Sequence, residues 1–420
     1  MFGTSGIRGV YGKEITEELA RKIGNAFGNG QLFLGRDLRT SSVSLAKAVA
    51  QGAQAAGCDV SDLGIVPTST VAFAGKRGIM VTASHNPPEY NGLKLMEDGK
   101  EIGKKLEKQV VEDYKKPMKT GEQGTLTKDN EVLHRHRQMI IDSVSITKKP
   151  TIVVDCNGAA ASLTPFLLGD LGCRVISLNS SLGCFNRPSE PNEENLRHLG
   201  RLVVEFGADF GVAHDGDGDR CVIVDDKGGM LPFDIQLAMM IEHELSKSKN
   251  RMIVSTVEAS LAIRKVVEDN GGEIEITPVG STYVGEMIRK KNALFGGEPC
   301  GEYIYNDGVH VPDAPMAVAK FVEIFEKGKF SELRKKYSHG FMAREKFRAK
   351  DKAKTVEKVK KRISVEGRIR DDDGIRVDEE DGWFLVRASG TEPVVRLTME
   401  YETKEKLERR KKELVRLILE

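Results

Sequence analysis

The sequence predicts an α/β protein: three similar α/β mixed-sheet domains, then a smaller C-terminal α+β domain with an antiparallel sheet. Three observations lead there. The 420 residues are 39% hydrophobic, enough apolar material for several cores rather than one. Short β-branched runs alternate with helical patterns through roughly the first 340 residues, the pattern of layered βα units. After that the strands crowd together between two helices, as in an antiparallel sheet with helical cover.

The strand candidates are QLFLG (31–35), GIMVT (78–82), TIVVD (151–155), CRVIS (173–177), DFGVA (209–213), CVIVD (221–225), RMIVS (251–255) and ALFGG (293–297). Several end in Gly, Asp or Asn, as strands do when they deliver a loop at the carboxyl edge of a sheet. Ile15, Leu19, Ile23 and Phe27 recur at i+4 and share one helical face. FSELRKKY (330–337) reads as a helix, and so does a Lys-rich segment at 353–363. In the last helix Leu407, Leu414 and Ile418 fall on one side. Polar stretches at 115–124, 148–150 and 246–250, and a change of texture near 340–350, divide the chain into segments 1–147, 148–247, 248–343 and 344–420. No repeat is visible at the level of residues.

Charge is balanced, 64 basic against 63 acidic residues for a net +1, so the composition favours neither a nucleic-acid nor a membrane partner. Any anion must be held by a local cluster. The six cysteines are scattered, with no C-x-x-C pair, which fits a reducing compartment and argues against a zinc site. The start MFGTSGIRG lacks a basic, apolar leader pattern, and no apolar run is long enough to span a bilayer. A cytoplasmic protein is the expectation.

The sharpest chemical signal is DGDGDR: Asp215, Asp217, Asp219 and Arg220 with Gly216 and Gly218 between the acids. Three carboxylates at alternate positions can converge on one small hard cation, and crowding them without a counter-ion is costly. An EF-hand needs Gly at position six and usually Glu at twelve; Arg220 and Asp226 stand there instead. The second signal is VTASHNPPEYNGLK (81–94). Ser84 sits at a strand-to-loop junction beside His85, and Pro87 and Pro88 stiffen the loop beyond it. No G-x-S-x-G elbow surrounds Ser84, so a hydrolase triad is not indicated. His85 also fits a plain loop histidine bonded to backbone, and Lys94 is either a proton carrier or a surface residue. A hydroxyl near a cation suits phosphoryl transfer, because the metal screens repulsion between phosphate and attacking oxygen.

The third signal is RASGTEPVVR (387–396). Arg387, Ser389, Gly390, Thr391 and Arg396 offer guanidinium groups, hydroxyls and flexible backbone N–H groups, a phosphate cradle without a Walker lysine. Taken alone, a plain hairpin turn explains it as well. Two weaker signals are GTSGIRG (3–9), which places Arg8 in a Gly/Ser/Thr loop, and GGEPCGE (296–302), which puts Glu298, Cys300 and Glu302 around a turn.

Together TASHNP, DGDGDR, GEPCG and RASGTEP resemble, in order and across almost the whole chain, the phosphoserine, metal, sugar-recognition and phosphate loops of the α-D-phosphohexomutase superfamily. That resemblance implies three α/β domains around a cleft with a fourth domain closing it. It implies an intramolecular phosphotransferase that interconverts hexosamine 6- and 1-phosphates through a phosphoserine enzyme and a bisphosphate intermediate. Mannose or glucose phosphates are the alternative substrates.

By the same resemblance, Ser84 would carry the phosphate, and one Mg²⁺ would lie between Asp215, Asp217, Asp219 and a phosphoserine oxygen. Arg8 and Lys94 would act as acid/base or stabilise the moving phosphoryl group. Arg220 would lie beside the metal loop, and Glu298 would grip sugar hydroxyls. Arg387, Ser389, Gly390, Thr391 and Arg396 would hold the other phosphate. A hexose bisphosphate would serve as activating primer, and a monomer or homodimer is expected. Two departures stand out. Cys300 occupies a position where the family commonly has serine, and GSTYVGE (280–286) lacks the family's usual acid.

Overall fold

The computed structural model describes residues 1–3, 5–337, 340–363, 367–390 and 393–420. It contains three mixed α/β sheets and one antiparallel sheet, as expected. In the first, the order is Ile7–Val10, Tyr90–Glu97, Arg77–Val81, Gln31–Arg36, Asp59–Ile65, Leu126–Lys128, with Lys100–Glu101 pairing onto Tyr90–Glu97. The second runs Cys221–Val224, Phe210–His214, Thr151–Asp155, Arg174–Leu178; the third runs Glu273–Thr277, Met252–Thr256, Phe295–Glu298, Glu302–Tyr305.

These three sheets share a plan that no residue-level repeat disclosed. In each, a parallel strand is followed at once by an antiparallel neighbour: Arg77–Val81 by Tyr90–Glu97, Phe210–His214 by Cys221–Val224, Phe295–Glu298 by Glu302–Tyr305. The serine, aspartate and GEPCG segments are the three connections at these reversals. One topological position, used three times, therefore brings three chemistries to one cleft.

The β-branched runs form the expected strands to within a residue or two. Most are buried along much of their length, as strands between helices must be, while the edge strand Arg174–Leu178 is exposed or half-buried throughout. The first helix, Glu17–Phe27, is capped by Thr16, whose Oγ1 accepts from Leu19 N at 3.2 Å. Ile15 lies ahead of that cap; it is fully buried but is not part of the helical face. FSELRKKY is not one helix either: a short α-turn, Phe330–Leu333, gives way to a 3₁₀ turn, Arg334–Tyr337. The burial pattern explains this break. Phe330 packs edge-on to Phe210 with ring centroids 5.1 Å apart, while the lysines next along the chain face water. Burying one such aromatic is worth about 1.5–3 kcal/mol, more than continuing an exposed helix.

One apolar cluster runs without interruption from the second sheet into the third, so these two units share a core. The first sheet and the C-terminal sheet have cores of their own. The C-terminal sheet is antiparallel, in the order Phe341–Arg348, Val394–Tyr401, Gly382–Ala388, Ile375–Glu379, Arg368–Arg370. Leu407, Leu414 and Ile418 of the last helix are buried against it. This domain is fastened to the third unit. Arg376, stacked 3.8 Å over Trp383, donates to Ala259 O at 3.0 Å, and Glu400 accepts from Leu261 N at 2.7 Å.

Candidate active site

Ser84 caps the first of the three reversals. Its φ is +51°, a left-handed conformation that costs a non-glycine residue about 1–2 kcal/mol. The surroundings impose it: Ser84 N donates to Thr82 Oγ1 at 2.8 Å, and Ser84 O accepts from Arg39 Nη2 at 2.8 Å and from Ser189 Oγ at 2.9 Å. The hydroxyl then points across the domain boundary and donates to Asp215 Oδ2 at 2.8 Å. Nδ1 of His85 lies 3.3 Å from the same oxygen.

The three aspartates converge as their spacing predicted. One carboxylate oxygen from each lies within 4.8 Å of the others, and all three residues are buried. Gly218 turns the loop at φ +64°. Gly216 lets it approach the serine loop, since a Cβ there would lie 2.7 Å from Ser84 O and 2.6 Å from Ser189 Oγ. Thr68 donates to Asp217 Oδ2 at 2.6 Å.

Lys94 is neither a surface residue nor part of a loop. It lies on the strand Tyr90–Glu97, is 1% exposed, and places Nζ 2.8 Å from Asp217 Oδ2 and 2.5 Å from Asp219 Oδ2. Arg8, likewise expected in a loop, is on the strand Ile7–Val10, paired opposite Gly92. Both side chains thus project from neighbouring strands of one rigid sheet.

The electrostatics are set by burial. Burial opposes charge on Lys94, but Asp217 and Asp219 outweigh it and hold its pKa above the ordinary lysine value. Burial and the charges of Asp219 and Asp217 push Asp215 well up, and burial with Asp217 raises Asp219 to about 6. For Asp217, burial is outweighed by Lys94, and the pKa falls. Three buried carboxylates this close raise one another's pKa, against the opposing charges of Lys94, Arg220 and Arg8. Among the described residues, Oδ1 of Asp217 and Oδ1 of Asp219 are buried with no hydrogen-bond partner. An all-oxygen set of three converging carboxylates with orphaned oxygens fits a hard divalent cation. The Arg220 charge, then burial, then Arg8 lower His85 to about 2, so its imidazole is neutral at working pH.

A cavity of about 440 Å³ joins these groups to the other candidates. Ser84, His85, Arg8, Lys94, Asp219 and Arg220 line one side; Glu298, Cys300, Arg387, Ser389, Gly390 and Arg396 line the other. Thr391 lies outside the described residues. Arg220 pairs with Glu302, Nε to Oε1 at 3.2 Å. Glu298 accepts from Gly280 N at 3.0 Å, so the GSTYVGE segment supports the GEPCG loop through backbone. Burial, then the Glu302 charge, push the Glu298 carboxyl well up, and the same two causes raise the Cys300 thiol. Arg387 Nε donates to Glu258 Oε1 at 3.1 Å, with Asp373 Oδ2 4.0 Å from Nη1. A larger cavity lies on the outer face of the second unit around Leu196, Gly200 and Met230, away from all of these groups.

Several members of this site carried no sequence signal. Thr68, Ser189, Glu101, Glu258 and the neighbours Asp37 and Arg39 arrive from five segments. Glu101 accepts from Ser5 Oγ at 3.0 Å at the edge of the cavity.

Models of the phosphoglucomutase/phosphomannomutase family match the chain in four consecutive blocks: α/β/α domain I over residues 1–120, domain II over 133–228, domain III over 233–339, and the C-terminal domain over 345–417. A protein of Methanopyrus kandleri named "Probable phosphoglucosamine mutase" is 40% identical, over 99% of this chain and 97% of its own. One of Thermococcus kodakarensis named "Phosphoglucomutase/phosphomannomutase" is 37% identical, over 97% and 95%. Among solved structures, a phosphoglucomutase/phosphomannomutase family protein of Burkholderia thailandensis superposes with a TM-score of 0.90 at 28% identity, covering 99% of this chain and 96% of that one.

Proposed function

The chain belongs to the phosphoglucomutase/phosphomannomutase family and is a phosphohexomutase, an isomerase; from that premise we propose that it interconverts glucosamine 6-phosphate and α-D-glucosamine 1-phosphate through a phosphorylated Ser84. The observation that carries this reading is the 2.8 Å contact between the Ser84 hydroxyl and Asp215, at the floor of a cavity whose opposite wall is Arg387, Ser389 and Arg396. One wall transfers phosphate and the other recognises it. A ring phosphorylated at either end fits between them, in either of two orientations.

In the first half-reaction the bond between Ser84 Oγ and phosphorus breaks, a sugar hydroxyl oxygen bonds to phosphorus, and the proton of that hydroxyl passes in net to Ser84 Oγ, which is left as a free hydroxyl. The bisphosphate reorients, and its other phosphate returns to Ser84. Asp215, Asp217, Asp219 and a phosphoserine oxygen would hold Mg²⁺, which supplies charge to the phosphate oxygens when bound. Lys94, with Nζ 2.8 Å from Asp217 and 2.5 Å from Asp219, and the Arg8 guanidinium place donors and positive charge beside the transferring phosphoryl group. Neutral His85 stabilises the Ser84 hydroxyl by hydrogen bonding. Glu298 holds sugar hydroxyls, and Arg387 and Arg396 hold the phosphate that is not reacting. The enclosed cleft keeps water from the phosphoenzyme. A hexose bisphosphate would charge Ser84 initially.

Mannose and glucose phosphates are the second reading. The Thermococcus relative's name favours it, and Cys300, whose thiol is a weaker hydrogen-bond partner than a serine hydroxyl, selects neither reading. The test is kcat/KM for glucosamine, glucose and mannose phosphates with Mg²⁺ and a bisphosphate primer. Preference for the amino sugar is expected; a preference for mannose or glucose phosphates would select the second reading.

A further inference from the structure

Behind Ser84, on the side away from the cleft, lies a buried ion pair that touches no reacting atom. Arg39 and Asp37 have fully buried side chains, with Arg39 Nε 3.0 Å from Asp37 Oδ2. The Arg39 guanidinium spends three of its four other donors on one loop: Nη1 on Pro87 O at 2.7 Å, and Nη2 on Ser84 O and Asn86 O, both at 2.8 Å. Asp37 also accepts from Arg39 N at 3.0 Å, and from Ser42 Oγ and Thr82 Oγ1, both at 2.7 Å. That Thr82 oxygen in turn accepts from Ser84 N. Both the N–H and the C=O of Ser84 therefore trace back to a single ion pair. The ring of Phe185, from the second unit, lies 5.2 Å from the guanidinium carbon, and Ser189 adds its own bond to Ser84 O.

We propose that Asp37 and Arg39 are positioning residues for phosphoryl transfer, a clamp that fixes the left-handed backbone at Ser84 and so the direction of its Oγ. The inference rests on Ser84 as the phosphate carrier. Burying an ion pair is an inefficient way to stabilise a fold, since apolar residues of similar volume do as well or better. Direction is what a planar fork with fixed N–H vectors supplies and a hydrophobic patch does not. Ser84 needs it twice per turnover, because Oγ must meet phosphorus in line both when giving and when receiving. Lysine, a point charge on a flexible stem, cannot hold three carbonyls in one plane.

The test compares wild type, Arg39→Lys, Asp37→Asn and Ser189→Ala, with Lys320→Met as a control that breaks another buried ion pair, Lys320–Glu244, far from the cleft. Two readouts are taken well below each melting temperature: the rate of Ser84 phosphorylation by a hexose bisphosphate, and steady-state kcat and KM. A misplacement near 1 Å can cost about 100-fold, so Arg39→Lys should lose on the order of that in kcat and in phosphorylation rate, with KM within about threefold. Ser189→Ala, which removes one of the bonds, should lose about 3- to 10-fold. Lys320→Met should lose stability but keep the phosphorylation rate. Equal rates in Arg39→Lys and wild type, or parallel losses in Lys320→Met, would overturn the clamp. A wild type that never takes phosphate onto Ser84 would instead overturn the reading beneath it.

Discussion

Lys94→Met isolates the charge balance of the aspartate pocket. In the absence of metal, the Lys94 ammonium is the group that neutralises Asp217 and Asp219, at 2.8 and 2.5 Å, with 1% of the residue exposed. Removing one partner of a buried ion pair costs about 3–5 kcal/mol. For a cooperative unit of about 150–250 residues each kcal/mol moves Tm by about 2–4 °C, so the metal-free variant should melt roughly 6–20 °C lower.

Metal should reverse the order of effects. Mg²⁺ binds carboxylate oxygens at about 2 Å, so Nζ in its present position would lie within roughly 5 Å of the ion. At about 5 Å the repulsion is about 7 kcal/mol at an effective dielectric constant of about 20, and any retreat of Lys94 lowers it. Lys94→Met should therefore bind Mg²⁺ more tightly than wild type and gain more Tm from it, while losing most of its kcat. Thermal melts in EDTA and in Mg²⁺, with a calorimetric Mg²⁺ titration, measure both terms. A variant that melts like wild type in EDTA, or gains no more Tm from Mg²⁺, would refute the reasoning.

The remaining expectations concern other parts of the molecule. Gly216→Ala would place a Cβ 2.7 Å from Ser84 O and 2.6 Å from Ser189 Oγ, so the serine and aspartate loops must part; kcat should fall sharply with little change in circular dichroism. Arg387→Ala should raise KM for the sugar phosphate about 10- to 100-fold, the worth of a hydrogen bond to a charged group, and leave kcat nearly intact in steady-state assays. Glu323 is remote from the cleft. Burial works against its charge, but His243, Lys247 and Ser145 N outweigh it and hold the carboxyl at about 2. A depressed acid contributes stability above its unfolded value of 4.5, and that contribution is lost as pH falls towards 2. Tm of Glu323→Gln should accordingly fall less than that of wild type between about pH 5 and pH 3, a contrast that differential scanning calorimetry reads directly.

The residues legible in the sequence were those whose partners lie close by along the chain. Asp215, Asp217 and Asp219 announce a cation because their spacing alone brings them together, and Ser84 stands out at a strand end. Arg39 gave no such signal: its meaning lies in carbonyls more than forty residues away. Thr68 is separated from Asp217 by 149 residues. The strand Tyr90–Glu97 was hidden by Asn91-Gly92, which reads as a turn. Gly92 is there because a Cβ would lie 2.2 Å from Ile7 O on the neighbouring strand. With that strand hidden, Lys94 and Arg8 could not be seen as neighbours. The shared plan of the three mixed sheets was invisible for a related reason, since topology constrains where apolar residues go but not which ones they are.

The central claim is that Ser84 carries a phosphate ester poised beside the aspartate pocket. Intact-protein and peptide mass measurement after exposure to Mg²⁺ and a hexose bisphosphate tests it most directly. One added phosphoryl group, mapped to Ser84, removed by sugar monophosphate and absent from Ser84→Ala, is the expected result. Turnover by a protein in which Ser84 never acquires that group, or by Ser84→Ala at the wild-type rate, would contradict the account.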